Sequence, residues 1–475
     1  MRTDTEVRET GLPERLAASA RSRTLPRKGV ADWLEARRDS GSFRVERVPF
    51  DRLRGWGFTP GSGDLVHSSG RYFGVRGLDV RTDGGSPPHW RQPIIHQADI
   101  AILGVLAKEV DGILRFLMQA KMEPGNITTV QLSPTVQATS SNYLRTHRGA
   151  RPRHLEYFTE PGRAEVLVDV LQSEQGSWFL GKRNRNVVVE TAAEVPEGAD
   201  FAWLTLGDIL DALHHPHLVN MDTRTVLSCL PFSAAPGGSP RENTGFAEEV
   251  ERSFGATEQD SLSSLAGIRA WVTGQKSGRA LSARPIPLDE VTGWERTDEE
   301  IRHESGRFFS ILGVDVEATT REVASWSQPL LAPRGTGLTA FLVQPVAGTL
   351  HVLTRADLRP GYLDSVEVGP TVQCDPANLE VLPPDRRPAF LDLVLDSART
   401  RVHYDVEQSE EGGRFHHATT RHLIVEPRTP LPEDLPPGYA WMTARQLTEL
   451  LRRSHHVNIE ARSLLLALSS LRPRG

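Results

Sequence analysis

The chain has 475 residues, more than one average domain, so two or three folded units are expected. Its composition, 38% hydrophobic and 24% charged, is that of an ordinary soluble globular protein. A net charge of −6 and a pI near 6.3 argue against a broad basic surface for nucleic acid, while leaving room for a local cationic pocket.

Cys229 and Cys374 are the only cysteines and suggest no disulfide framework. No apolar run approaches the roughly 20 residues needed to span a bilayer. The first 30 residues mix Arg, Glu and Asp with no apolar signal core, so a reducing cytoplasm is the expected location and no membrane contact is expected. Lysine occurs only at positions 28, 108, 121, 182 and 276, which makes Lys121 and Lys182 less casual choices.

Residues 1–29 read as a polar N-terminal tail with one short helix over 12–20. A first unit spans 30–232. Within it, 101–106, 112–120, 130–136, 165–171 and 187–190 read as strands by alternation or apolar runs, with a turn at Pro124-Gly125. Leu206, Ile209, Leu210 and Leu213 give an amphipathic helix, and 220–230 another with Asn220 as N-cap. Residues 233–267, rich in Ser, Gly, Glu and Pro, read as a linker with a helical stretch over 246–254. A second unit spans 268–475. Strands come first and helices last in each unit, which predicts an α+β fold, a mixed sheet with flanking helices, and not a doubly wound one.

The second unit is a copy of the first. Trp33, Val48-Pro49-Phe50-Asp51 and Gly55-Trp56 return 238 residues later as Trp271, Ile286-Pro287-Leu288-Asp289 and Gly293-Trp294. At a shift of 236, Pro124-Gly125 and Pro134-Thr135-Val136-Gln137 return as Pro360-Gly361 and Pro370-Thr371-Val372-Gln373. The shift of 238 resumes for Trp203/Trp441, Val219-Asn220/Val457-Asn458 and Arg224/Arg462. A period this long exceeds any solenoid repeat, so each copy should be a whole module.

The polar stretch Gln172 to Asn186 lies between two predicted strands and carries Glu174, four amides, Lys182, Arg183 and Arg185. Its first part returns as Gln408-Ser409-Glu410-Glu411-Gly412-Gly413-Arg414-Phe415. Polar residues kept in both copies are Gln137/Gln373, Asn142/Asn378, Gln172/Gln408, Ser173/Ser409, Glu174/Glu410, Arg185/Arg421 and Arg224/Arg462. These can serve the fold, by satisfying turns, or a ligand part bound twice. Lys121, Glu123, Gln131, Ser133 and Thr139 change to Asp357, Arg359, Glu367, Gly369 and Asp375, and Lys182-Arg183-Asn184 to Ala418-Thr419-Thr420. Copy 1 therefore holds a cationic, amide-rich pocket that copy 2 has partly lost. Such a pocket suits an anionic ligand, since Arg grips phosphate bidentately and Lys acts as a point charge. The clusters His214, His215, His217 and His416, His417, His422 are poor metal candidates. Adjacent histidines on a strand would face opposite ways, and only His217 recurs, as His455. No metal site and no glycine-rich phosphate loop is expected.

The run Gln131-Leu132-Ser133-Pro134-Thr135-Val136-Gln137-Ala138-Thr139, then Ser141-Asn142-Tyr143, together with Gln172 to Asn186 and Val219-Asn220-Met221-Asp222-Thr223-Arg224, closely resembles the NDP-hexose 2,3-dehydratase family of deoxysugar biosynthesis. The resemblance covers nearly the whole chain. It implies two Nudix-like modules, a homodimer, a dTDP-4-keto-6-deoxyglucose substrate, no cofactor, and a product handed to an NADPH-dependent 3-ketoreductase. The loss of Lys121 and Lys182 from copy 2 points to catalysis in copy 1, with Glu174, Lys182 and Lys121 as the catalytic candidates and Glu174 or Lys182 transferring protons. Lys121, Gln131, Gln137 and Asn142 would hold the sugar, with Ser133, Thr139, Tyr143, Gln172, Ser173 and Asn186 around it. Arg183, Arg185 or Arg224 would hold the diphosphate. Copy 2, with Gln373, Asn378, Gln408, Ser409, Glu410 and Arg421, would keep a vestigial or nucleotide-only second pocket. Two other readings stay open: a Nudix-type pyrophosphohydrolase, for which the metal-binding Gly-x5-Glu-x7-Arg-Glu-x2-Glu-Glu signature is missing, and a non-catalytic nucleotide-sugar binding protein.

Overall fold

A computed structural model of the chain describes residues 11–26, 28–83, 87–139, 151–232, 245–319, 321, 323–379, 387–432 and 434–473. The fold is α+β and its two halves repeat the same elements. Each half carries a seven-stranded mixed sheet. In the first half the order is Glu165–Ser173, Arg183–Glu190, Ala101–Val110, Ile113–Met122, Phe201–Thr205, with Val130–Ser133 on Ile113–Met122 and Val136–Ala138 on Ala101–Val110. Arg183–Glu190 runs parallel to Ala101–Val110, and the other pairs are antiparallel. Gly337–Val346 and Thr419–Pro427 form the matching parallel pair in the second half.

The single strand expected over 130–136 is broken in two. Pro134 has no N–H to give to a ladder, so pairing stops there. Thr135 bridges the gap: its hydroxyl donates to the Leu117 carbonyl at 2.5 Å and accepts from the Leu106 amide at 2.8 Å. Thr371 does the same work with Leu353 and Leu342 in the second half.

Each half also has a five-stranded antiparallel sheet, and the two halves exchange a strand between these sheets. Phe43–Val48 of the first half lies along Phe309–Ala318 of the second. In return, Leu281–Ile286 of the second half lies along Gly74–Thr82 of the first. Pro49 and Pro287 end these exchanged strands. The two copies are therefore woven together, a feature that the pattern of repeats does not reveal.

Helix Leu12–Arg21 is not a loose tail. It packs on Ile113–Met122, with Ser19 Oγ donating to the Leu114 carbonyl at 2.6 Å and accepting from the Leu206 amide at 2.8 Å. Helix Phe246–Phe254, in the stretch expected to be a linker, packs on Thr349–Leu358, and its Ser253 Oγ accepts from the Ala444 amide at 2.8 Å. The two helices are counterparts, each packed on the matching strand of its own half.

One hydrophobic cluster runs through both halves, from Phe116, Val188 and Leu227 to Phe341, Ile424 and Leu465. Across it, helix Met221–Ser228 packs on Ile459–Ser469. Among the described residues no helix is long and apolar enough to cross a membrane.

The repeats also meet at two reciprocal turn contacts. The Gly125 amide donates to the Gly412 carbonyl at 2.7 Å, and the His417 amide to the Gly125 carbonyl at 2.9 Å. In the mirrored contact, Gly361 donates to the Gly176 carbonyl and Gly181 to the Gly361 carbonyl, both at 2.8 Å. A Cβ at Gly125 would lie 1.6 Å from the Phe415 carbonyl oxygen, and one at Gly361 1.8 Å from that of Phe179. Only glycine permits backbones this close.

Candidate active site

The turn contact at Gly125 carries the second repeat's hairpin onto the open end of the first repeat's mixed sheet. Between them lies a cavity of about 450 Å³, the size of a small-molecule site. Its deep wall comes from the first repeat: Lys121 from strand Ile113–Met122, Gln137 from the short strand Val136–Ala138 and Thr139 just after it, Glu174, Lys182 and Asn184 from the polar hairpin, and Asp222 from the first turn of helix Met221–Ser228. Trp56, His67, Tyr72 and Phe73 of the first five-stranded sheet form one side. Arg321, Trp326 and Gln328 of the second repeat form the other, and Glu411, Gly413 and Arg414 close over the top. The cavity runs from exposed Tyr72 and Arg54 to nearly buried Glu174 and Lys182.

The deep wall is a chain of contacts. Lys121 Nζ donates to Gln137 Oε1 at 2.8 Å and lies 3.5 Å from Glu123, while Gln137 Nε2 donates to Asp222 Oδ2. Asn184 Nδ2 donates to Glu174 Oε1 at 2.6 Å, and its own Oδ1 accepts from the Ala101 amide at 3.2 Å, which fixes the amide's orientation. Lys182 Nζ donates to the Asp99 carbonyl at 2.6 Å and reaches its carboxylate at 3.4 Å.

Carboxyls crowded in a dry wall hold protons longer than in water. Burial, helped by the neighbouring Asp222, pushes Glu174 up to about 7. Burial and then Glu123 push Asp222 up to about 6. The Lys182 ammonium is driven below its ordinary value by burial, with Asp99 and Glu174 opposing the shift. Carboxyls such as Glu174 and Asp222, poised this near neutrality, can both take and give protons at physiological pH.

Of the residues expected from sequence, Lys121, Gln137, Thr139, Glu174 and Lys182 meet at this cavity. Asn142 and Tyr143 lie outside the described residues. The remaining ones are elsewhere, mostly at the seam between the repeats. Gln131 Nε2 donates to the His217 carbonyl at 2.9 Å and to Ser409 Oγ at 2.8 Å. Ser133 Oγ accepts from Asn220 Nδ2, and Asn186 Nδ2 donates to the Asn184 carbonyl. Gln172 Nε2 donates to the Leu451 carbonyl at 2.8 Å, mirrored by Gln408 and the Leu213 carbonyl at 2.9 Å. Ser173 Oγ donates to Glu367 at 2.5 Å.

None of the three arginines expected to grip a diphosphate lines the cavity. Arg224 is buried at the seam, donating to the Val219 carbonyl at 2.6 Å and the Ser409 carbonyl at 2.7 Å. Arg185 forms a bidentate pair with Asp169, as Arg421 does with Asp405, both near the surface. Arg183 sits across the hairpin from Ser173 and near His455. Three of the seven kept pairs, Gln172/Gln408, Ser173/Ser409 and Arg224/Arg462, thus join the copies.

The counterpart of the cavity in the second repeat is occupied by its own side chains. Asp357, in the place of Lys121, takes bonds from Arg355 at 2.8 Å, Arg359 at 2.9 Å and Tyr362 at 3.2 Å, and all but Arg355 and Arg359 of this group are fully buried. Gln373 accepts from Asn458 at 2.9 Å, Asn378 turns away to the Phe308 amide, and Glu410 accepts from Thr420 at 2.5 Å and from Gln175 at 2.9 Å.

Asp222, Glu123, Glu411, Arg414 and the aromatic wall escaped the sequence reading. Asp222 stood inside a quoted motif and Glu123 among the changed positions, so both had a signal. Glu411 and Arg414 stood inside the returning stretch Gln408 to Phe415, but nothing in sequence says that copy 2's hairpin reaches copy 1's cavity. The histidines do not gather: His416 and His417 lie in a turn with rings stacked 4.0 Å apart, not on a strand, while His214 meets Ser470 and His217 meets Ser409. Among the described residues no group of three or more His, Cys, Asp and Glu is placed to hold a metal.

The family model for NDP-hexose 2,3-dehydratase matches this chain twice, over residues 27–230 and 265–468. The chain belongs to the NDP-hexose 2,3-dehydratase family. It is 48% identical over 458 residues to a dTDP-4-dehydro-6-deoxy-alpha-D-glucopyranose 2,3-dehydratase of Saccharopolyspora spinosa, covering 96% of this chain and 94% of that one. Proteins of the same description from Amycolatopsis orientalis and Streptomyces violaceoruber are 47% and 46% identical, over 94% of this chain and 91% and 98% of theirs. The double match to the NDP-hexose 2,3-dehydratase model agrees with the two woven halves.

Proposed function

We propose that the chain is a hydro-lyase that removes water across C2 and C3 of dTDP-4-keto-6-deoxyglucose, giving a 3,4-diketo-2,6-dideoxyhexose nucleotide. The ketone at C4 acidifies the C3 proton, and the C2 hydroxyl lies β to that ketone. A base takes the C3 proton to leave an enolate. Its electrons return to make the C4 carbonyl and the C2–C3 double bond as the C2–O bond breaks. The resulting enol tautomerises by losing its O–H proton and gaining one at C2. Atoms and electrons balance with water as the only other product, so the reaction consumes no reductant or oxidant.

The observation that carries this reading is the pairing of near-neutral carboxyls with a lysine and an amide at the buried end of the cavity. Glu174, oriented by Asn184, is the base. Lys121 and Gln137 hold the C4 oxygen and stabilise its developing charge, and Lys182 keeps the Glu174 carboxylate accessible near neutrality. Proton transfer by a placed group is worth roughly 10²–10⁴-fold. The nucleotide extends towards Arg54 and Arg321, with Trp56, Tyr72 and Trp326 offering faces to the base.

Several finer points belong to the same proposal. The two halves are read as Nudix-like modules, supported by the mixed sheet with one parallel pair and helices packed on it. A homodimer, cytoplasmic location and transfer of the unstable diketone to an NADPH-dependent 3-ketoreductase complete the reading. Incubation with dTDP-4-keto-6-deoxyglucose, such a reductase and NADPH tests it. Substrate-dependent NADPH oxidation supports the dehydratase, release of dTMP would point to a hydrolase, and binding without turnover to a sensor.

A further inference from the structure

Resting on that reading, we propose that Glu411 of the second repeat is the acid that protonates the departing C2 hydroxyl in the first repeat's cavity. The active site would then be built from both copies, which gives the second repeat a catalytic task although its own pocket is filled.

Glu411 lies in the hairpin between Thr400–Ser409 and Thr419–Pro427, and it lines the cavity with Gly413 and Arg414. The contact of Gly125 with Gly412 and His417 holds this hairpin against the first repeat through backbone bonds. The carboxyl is oriented on one side: Oε1 accepts from the Gly413 amide at 3.0 Å, while Oε2 is buried with no hydrogen-bond partner among the described residues. Because Glu411 lines the cavity, that oxygen is available to a ligand.

The counterpart position in the first repeat sharpens the assignment. There the residue is Gln175, whose amide donates to Glu410 at 2.9 Å. The hairpin thus accommodates an amide facing a carboxyl, and the second copy places an acid where the first has an amide. The charged groups around Glu411 are Glu123, Asp222 and Glu174 from the first repeat and Arg414 from its own hairpin. Burial and the three carboxyls outweigh Arg414 and push Glu411 up to about 8, so it carries a proton near neutrality while Glu174 can give its own up. In the reaction, Glu411 delivers that proton to the C2 oxygen as the C2–O bond breaks, and water leaves. Glu174 meanwhile holds the proton from C3. Protonation of C2 and loss of the enol proton in the tautomerisation restore both groups.

Glu411→Gln tests the role, since the Gln175 hairpin shows that an amide fits. Product formation should fall about 10²–10⁴-fold, the span of a lost acid, with KM nearly unchanged. In D2O the variant should still exchange the C3 hydrogen of the substrate, because Glu174 still makes the enolate and solvent returns a deuteron. Wild-type rates of dehydration overturn the proposal. So does loss of exchange together with dehydration in a variant whose thermal melt matches wild type. If the wild-type protein itself forms no diketone, the dehydratase reading fails instead, so the two failures are told apart.

Discussion

Arg224 of the first repeat donates to the backbone carbonyl of Ser409 in the second, and Arg462 returns the same bond to Ser173 at 2.6 Å. These two buried guanidiniums stitch the copies through main-chain oxygens. Arg224→Met should therefore act on stability. Two buried carbonyls lose a charged donor, at about 1–3 kcal/mol each. Urea denaturation should show a loss of roughly 3 kcal/mol, and the folded variant should keep a KM close to wild type. A KM raised by orders of magnitude at unchanged stability would restore Arg224 to a phosphate-binding role.

Gly125→Ala should damage both stability and activity. The added Cβ would overlap the Phe415 carbonyl, and neither backbone can yield without breaking the Gly125–Gly412 and Gly125–His417 bonds. Overpacking of this kind costs about 1–3 kcal/mol or more. Because the same hairpin carries Glu411 and Arg414 over the cavity, kcat should fall even in the folded fraction. Gly361→Ala, at the mirrored contact, should cost similar stability and spare kcat more.

Lys121→Ala and Lys182→Ala should each lower kcat/KM by at least about 10²-fold, in line with loss of one placed group in a dry site. Neither should unfold the protein, since each lysine ends at a cavity and not inside the hydrophobic cluster. Circular dichroism with steady-state kinetics checks both. Wild-type turnover in the two variants would remove the first repeat's cavity from consideration.

How much of this was legible beforehand depended on what each residue had to satisfy. The α+β order, the strands around 101–122 and 165–190, and the Asn220 cap follow from local alternation and capping chemistry. That Lys121 and Lys182 share a cavity was foreshadowed by the difference between the copies there. Gln172, Ser173 and Arg224 lie at the seam, not at the cavity. Their identity in both copies reflects a pseudo-twofold seam, where each copy needs the same residue to hold the other. The strand exchange and the reach of Glu411 depend on contacts between residues more than 200 positions apart, and no periodicity carries that information.

The base assignment predicts the acidic limb of the pH profile. Glu174 must be ionised to take the C3 proton, so kcat/KM should fall as pH drops through about 7. The apparent value belongs to the carboxyl cluster as a whole, since Asp222 titrates beside it. Glu174→Gln should lower kcat by roughly 10²–10⁴-fold and abolish C3 hydrogen exchange in D2O. Exchange that persists in this variant would move the base to Asp222 or Lys182.

Stability should run the other way with pH, and Glu460 shows why. This buried carboxyl of the second repeat, the counterpart of Asp222, is pushed up to about 8 by burial, with Glu410 and Asp357 adding to the effect. The unfolded chain gives up the same proton near the ordinary glutamate value of about 4.3. Between these values the folded state binds more protons than the unfolded one, so stability is full at low pH and declines as pH rises towards 8. One such group contributes a slope of at most about 1.4 kcal/mol per pH unit. Glu367, pushed up to about 7 by burial, adds to the decline over the lower part of that window. Denaturant unfolding at pH 5.5 and 8 should show the loss, and Glu460→Gln, which cannot ionise, should reduce it, the remainder coming from Glu411, Glu174, Asp222 and Glu367. A variant with the same slope as wild type would mean that Glu460 is already ionised in the folded protein, and that the Arg359 guanidinium beside it outweighs burial.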